Sequence, residues 1–312
     1  MIYTVTLNPA IDKTAEIANF TAGTVNRAAK LREDAGGKGI NVSKCLKALG
    51  TRSVAAMILA GDAGKHLAEL VTAEGLDVLP VMAEGQTRTN LKIVDPRQGE
   101  NTDINEPGPR VTEKPLQQLL EALCGRICPG DIVVLAGSLP GGAAADTYQR
   151  WAQKLGDLGA RVFLDADGAC MAAGIQGKPW LVKPNETELA RVLNRPMETD
   201  AQLLAGGKEL LAMGIRNVVI SLGSAGALFV WEDGIYRAKS LRVPVQSTVG
   251  AGDSVVAAMA YGLERDLPKE EQIRLAMAMG AASVMQSGTQ APDRETVMSL
   301  AKSVEFYKLA DR

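Results

Sequence analysis

Histidine is nearly missing from this chain of 312 residues: there is one, His66. Ser-His-Asp or Cys-His nucleophile systems and multi-histidine metal centres therefore have little to be built from. His66 lies between Lys65 and Leu67 in a helical pattern and reads as a surface helix residue. Cysteine is scarce too. Cys45, Cys124, Cys128 and Cys170 are scattered through apolar stretches, and no pair has zinc-knuckle or redox spacing. They are expected as buried thiols in a reducing cytoplasm. Neither sign of charge prevails, with 34 Lys+Arg against 36 Asp+Glu and no Lys/Arg run longer than a pair, so no nucleic-acid-binding face is expected. Long apolar runs are also missing. Stretches such as 54–60 fall far short of the roughly 20 residues of a spanning helix, and the N-terminus reads as a strand rather than a charged-then-apolar leader, so no membrane partner is expected.

What is present is a chain with 46% hydrophobic residues, long enough for a large α/β domain with an insertion or for two domains. Continuous apolar runs at 131–136, 161–165, 180–183 and 217–222 predict buried parallel strands. Amphipathic stretches at 113–123, 144–155 and 200–213, each closed by Gly or another breaker, predict helices between them. The alternation implies a doubly wound α/β sheet with helices on both faces. Segments 11–34 and 86–108 break this rhythm. They are polar, helix-poor and partly alternating, and predict antiparallel strands outside the main sheet: a small lid, an oligomer surface, or ordinary surface hairpins. The core would then comprise 1–10, 35–85 and 109–312.

Four strings carry candidate chemistry. Ser247-Thr248-Val249-Gly250-Ala251-Gly252-Asp253-Ser254 runs into an Ala-rich helix. Small residues at a helix start let amides and the helix dipole converge on an anion, and Asp253 beside them can take a proton from a hydroxyl. An Asp that merely complements the dipole is the alternative. Ala35-Gly36-Gly37-Lys38-Gly39-Ile40-Asn41-Val42 also opens a helix. There Gly-Gly permits close backbone approach and Lys38 and Asn41 add a charge and an amide, or the string is a glycine turn capped by Asn. In Leu181-Val182-Lys183-Pro184-Asn185-Glu186-Thr187-Glu188, Asn185 and Glu188 form a capping-box pattern, and the same oxygens suit water-mediated magnesium. Ser221-Leu222-Gly223-Ser224-Ala225-Gly226-Ala227 is a tight hairpin or a nucleotide contact. Neither glycine cluster gives Gly-x-Gly-x-x-Gly after the first strand, and 59–65 matches a phosphate loop only at Gly64-Lys65, which disfavours a dehydrogenase or P-loop enzyme.

Together, the GGKGIN string at 36–41, KPNETE at 183–188, SLGSAGA at 221–227 and TVGAGDS at 248–254 resemble the ribokinase-like (pfkB) carbohydrate kinases in order and spacing over essentially the whole chain. The opening Thr4-Val5-Thr6-Leu7-Asn8-Pro9-Ala10-Ile11-Asp12 is similar to the family's sugar-phosphate branch. The resemblance implies a ribokinase-like fold, ATP and Mg2+ as cofactors, a sugar phosphate as the small-molecule acceptor, and a β lid that pairs two subunits. It makes Asp253 the catalytic base and Gly250, Ala251 and Gly252 the anion hole. It places Lys183, Asn185, Ser221, Gly223, Ser224, Gly226 and Thr248 on the nucleotide side, with Asn185 and Glu188 at magnesium. Asp12, Gly37, Lys38, Asn41, Arg88, Asn90 and Ser138 fall on the sugar side, and Arg27 could reach the sugar phosphate from the same or a partner subunit. Lys38 and Asp103 resemble members acting on D-fructose 1-phosphate at its C6 hydroxyl, with tagatose 6-phosphate or fructose 6-phosphate as alternative acceptors. A catalytically inactive sugar-phosphate- or nucleotide-binding protein is the alternative of a different class.

Overall fold

The computed structural model describes residues 1–310. The chain runs β1 (Ile2–Thr6), β2 (Ala10–Glu16), β3 (Lys30–Gly36), α1 (Lys38–Ala48), β4 (Ser53–Ala60), α2 (Gly61–Ala73), β5 (Asp77–Ala83), β6 (Arg88–Asp95), β7 (Glu100–Ile104), α3 (Glu113–Cys124), β8 (Ile132–Ala136), α4 (Thr147–Asp157), β9 (Arg161–Asp165) and α5 (Gly168–Ile175). It continues with β10 (Leu181–Val182), α6 (Glu186–Val192), α7 (Asp200–Ala212), β11 (Asn217–Ser221), β12 (Ala227–Trp231), β13 (Gly234–Ala238), α8 (Ala251–Glu264), α9 (Lys269–Val284), α10 (Arg294–Ala301) and β14 (Phe306–Ala310).

Apolar continuity explains the main sheet. Every residue of β1, β8 and β12 is buried, so these strands must be covered on both faces. Among the described residues the sheet has ten strands in the order β14-β13-β12-β11-β10-β9-β8-β1-β4-β5. It is parallel from β5 to β11 and antiparallel from β12 onward. One core layer packs α3, α4, α5 and α7 against one face, with Trp151 and Leu164 at its centre; the other packs α1, α8 and α9 around Phe163, Phe229 and Trp231. Burying each such large side chain stabilises the fold by roughly 1.5–3 kcal/mol. The expected strand at 180–183 is cut to two residues, because Pro184 cannot donate into the ladder.

The chain fills the sheet outward from β1, first toward β4 and β5 and then, on the other side, toward β8 and β9. The carboxyl ends of β1 and β8 therefore form a topological switch point, where a crevice opens.

The two segments that break the α/β rhythm form a separate four-stranded sheet, order β3-β2-β6-β7. Both hairpins are antiparallel, as expected, but β2 and β6 pair in parallel. Each hairpin leaves the core and returns, so their leading strands run the same way. One face of this sheet points at the crevice. The thiols also depart from expectation: Cys45 is buried, Cys124 and Cys170 are partly buried, and Cys128 is exposed in the turn after α3, outside any core layer.

Helix α1 lies so close to β1 that a Cβ on Gly39 would sit 2.5 Å from Thr6 Oγ1 and 2.8 Å from the Val5 carbonyl oxygen. Gly39→Ala is expected to destabilise the protein by about 1–3 kcal/mol, read as a lower urea midpoint at unchanged m-value.

Candidate active site

The site is built where four parallel strands end and two helices begin. Strand β9 runs apolar from Val162 to Leu164 and ends on Asp165, which is 1% exposed. Its Oδ1 lies 3.4 Å from Lys38 Nζ, on the first residue of α1, and 3.5 Å from Lys183 Nζ, just past β10. Lys38 also reaches Asp167 at 2.8 Å. Burial alone would push Asp165 up, but Lys183 and Lys38 outweigh it and hold the carboxyl below its ordinary range. In turn, burial disfavours the Lys38 ammonium, and Asp165 and Asp167 more than compensate, so its pKa is raised.

Asp253, on the first turn of α8, is buried beside this cluster and accepts a hydrogen bond from Asn41 Nδ2 at 2.8 Å. Burial first and the Asp165 carboxylate second push its pKa up to about 6. Helix α8 starts at Gly250 in the left-handed region, φ 84°, a turn that disfavours other residues. A Cβ on Gly252 would come within 2.9 Å of Lys183 Nζ, so an ammonium lies directly under the amides that open the helix.

Two cavities meet at this helix start. A cleft of about 340 Å³ lies between the core and the small sheet; Asp12, Gly37, Lys38, Arg88, Asn90 and Ser138 all face it. Asp12 accepts from Asn90 Nδ2 at 2.9 Å across the β2–β6 pair, and its carboxyl is raised, chiefly by burial. Arg88 clamps the carbonyls of Asn8 and Glu106. A larger cavity of about 970 Å³ lies on the far side of α8. Asn185, Ser221, Gly223, Ser224, Gly226, Thr248, Ala251 and Gly252 line it, with an apolar slot from Val219, Leu241, Val255 and Met277. Here 221–227 is a hairpin turn between β11 and β12, as one reading of the string expects, and it also forms part of a cavity wall. Five residues of the sequence reading line neither cavity: Asn41, Lys183 and Asp253 are buried behind the walls, Gly250 is the N-cap of α8, and Glu188 closes a capping box with Asn185, at 2.8 Å in each direction. Burial raises the Glu188 carboxyl. Arg27 is exposed in the turn between β2 and β3, apart from the residues lining the cleft.

Asp165, Asp167, Asn8 and Lys92 are site residues that motif reading missed. For Asp165 a signal existed, a lone charge ending an apolar strand. Five buried side-chain polar atoms lack a partner among the described residues, and four of them cluster here: Oδ1 of Asn8, Asn41 and Asn90, and Oδ2 of Asp165. Asn8 and Asn90 line the cleft, and acceptors left without partners there suit a ligand rich in hydroxyl donors.

Comparison with known proteins identifies the family. Residues 5–296 match the pfkB family carbohydrate kinase pattern. The chain is 35% identical over 311 residues to a 1-phosphofructokinase of Bacillus subtilis, covering 99% of this chain and all of that one. It is 40% identical over 307 residues to a 1-phosphofructokinase of Xanthomonas campestris, covering 96% of each. The structure of phosphofructokinase-2 from Escherichia coli in complex with substrates and products superposes with a TM-score of 0.92 at 30% identity, over 97% of this chain and 98% of that one. The protein belongs to the pfkB family of carbohydrate kinases, and its fold is ribokinase-like.

In the ligand-free protein, carboxyl-carbon NMR is expected to show Asp253 titrating near pH 6, and Asn41→Ala to move that titration higher, because the amide donor favours the charged form. Titration near the ordinary value of 3.8 would show a solvated side chain.

Proposed function

We propose that the protein transfers the γ-phosphoryl group of ATP to the C6 hydroxyl of D-fructose 1-phosphate, giving fructose 1,6-bisphosphate and ADP. The observation that carries this reading is Asp253: a buried carboxylate, oriented by Asn41, in the first turn of the helix whose start is shared by a polar cleft and a nucleotide-sized cavity. The names of the curated relatives favour fructose 1-phosphate as the acceptor.

In this reading Asp253 accepts the proton of the attacking hydroxyl. Its raised pKa brings it close to neutral pH while leaving it ionised there, which suits a general base. The amides of Gly250, Ala251 and Gly252, with the α8 dipole and Lys183 beneath them, stabilise negative charge on the transferring group. Such a transfer depends mainly on in-line positioning and charge stabilisation and requires no histidine. The small sheet acts as a lid that excludes water from the cleft. Its outer face exposes Leu31 and Ile104 and serves as a dimer surface. Four unbridged cysteines suit a cytoplasmic setting.

The residues present also suit Mg2+. Magnesium is held by one or two carboxylates, phosphate oxygens and waters rather than by a dedicated protein cage. Glu188, Asn185 and the unpartnered Oδ2 of buried Asp165 supply such a set. When bound, the ion neutralises phosphate charge and orients the group being transferred.

A coupled ADP-release assay with fructose 1-phosphate, tagatose 6-phosphate, fructose 6-phosphate and free sugars is expected to give the highest kcat/KM for fructose 1-phosphate. Preference for another sugar phosphate would reassign the acceptor; no turnover with retained ATP binding would make the protein a binding protein. Asp253→Asn is expected to lower kcat by roughly 10²–10⁴-fold with ATP binding kept. Glu188→Gln keeps the capping geometry, so its expected effect is a raised half-saturating Mg2+ concentration at nearly unchanged Tm; an unchanged Mg2+ requirement would remove Glu188 from the metal site.

A further inference from the structure

The acceptor cleft is short of available positive charge. Four carboxylates line it, Asp12, Asp34, Asp103 and Asp167, against three cations, Lys38, Arg88 and Lys92. Two of the cations are already engaged. Lys38 is ion-paired with both Asp165 and Asp167. Arg88 donates Nε and Nη2 to the Asn8 carbonyl at 3.2 and 3.0 Å and Nη1 to the Glu106 carbonyl at 3.1 Å, so each guanidinium nitrogen ties the rim together. Two strands away, on β3, Arg32 is bound to Asp34 at 2.8 Å. Lys92 differs. Its single ionic partner is Asp103, at 3.8 Å, outside hydrogen-bond range, although the lysine side chain is only 17% exposed. An ammonium largely withdrawn from water, with no charge-assisted hydrogen bond, is poised for an anion.

Its place on the sheet fits one particular anion. Asn90 and Lys92 point to the same face of β6, and the register sets Asn90 beside Asp12, then Lys92 between Thr14 and Asp103. Lys92 thus stands two residues, about 6.5 Å, farther from the core than Asn90. The reacting hydroxyl must lie at Asp253, on the core side, so the phosphate that the acceptor already carries extends outward along β6.

We infer that Lys92 recognises the pre-existing phosphate of the acceptor and that Asp103 positions its ammonium. This rests on the reading of the acceptor as a sugar phosphate. Lys92 is then what separates phosphorylated from unphosphorylated ketohexoses, while Asp103 keeps the lysine over the cleft and adds repulsion to any anion that does not engage it.

The test compares kcat/KM for the three sugar phosphates and for unphosphorylated fructose and tagatose in wild type, Lys92→Met, Lys92→Arg and Asp103→Asn, together with competitive inhibition by inorganic phosphate. Lys92→Met is expected to lower kcat/KM for the preferred sugar phosphate roughly 10- to 100-fold. The loss should lie mainly in KM, with the value for the free sugar changed by less than about twofold. Inhibition by inorganic phosphate should weaken in parallel, and Lys92→Arg should recover part of the loss. Asp103→Asn, which leaves the cation in place, should raise KM by a smaller factor. Equal losses on phosphorylated and free sugars, or no loss on either, would overturn the inference; where free-sugar turnover is below detection, unchanged phosphate inhibition would do so. A wild type that prefers another sugar phosphate would revise the acceptor named above, and the same ratio would still decide the role of Lys92.

Discussion

The site depends on one buried carboxylate. Asp165 is placed by β9 at the floor of the crevice, where an unpaired charge would be intolerable, and it stays ionised because Lys38 and Lys183 converge on it from two separate chain segments. Removing one partner of such a buried pair typically costs about 3–5 kcal/mol, so the arrangement fixes its own geometry. Lys38 is thereby held at the cleft and Lys183 under the start of α8, and both ammoniums act on the Asp253 carboxylate.

Two ammoniums face three carboxylates, Asp165, Asp167 and Asp253, so the block holds no spare positive charge before any ligand arrives. The Asp165 charge also helps lift the Asp253 pKa, so the group that pins the lysines tunes the proposed base as well. A nucleotide triphosphate entering this block brings negative charge that two engaged lysines cannot offset. In the proposed reaction a divalent cation held by Glu188 and Asp165 would supply the missing positive charge.

Much of this was legible in the sequence, for identifiable reasons. Continuous apolar runs such as 132–136 gave away the parallel strands because burial on both faces leaves no alternation to obscure them. The glycine strings at 36–39 and 250–252 were visible because close backbone approach leaves few residue choices. The Asn185–Glu188 capping box is a local pattern and formed as read. What escaped depends on distance along the chain. Asp165 meets Lys38 across 127 residues, and no local window reveals that partnership. The burial of Lys183 beneath Gly252, the parallel β2–β6 pairing and the exposure of Cys128 are likewise tertiary outcomes of otherwise ordinary local sequence.

The small sheet and α1 share a single joint. Strand β3 ends at Gly36, Gly37 alone separates it from α1, and the first turn of that helix carries Lys38 and Asn41. The sheet therefore cannot tilt like a door on a slack hinge. Any swing toward the crevice is geared through one residue into the helix that grips Asp165 at one position and Asp253 at another. In the proposed closure the sheet would act as a lever with a short arm at the reacting centre, and the Asp165 cluster would be its fulcrum.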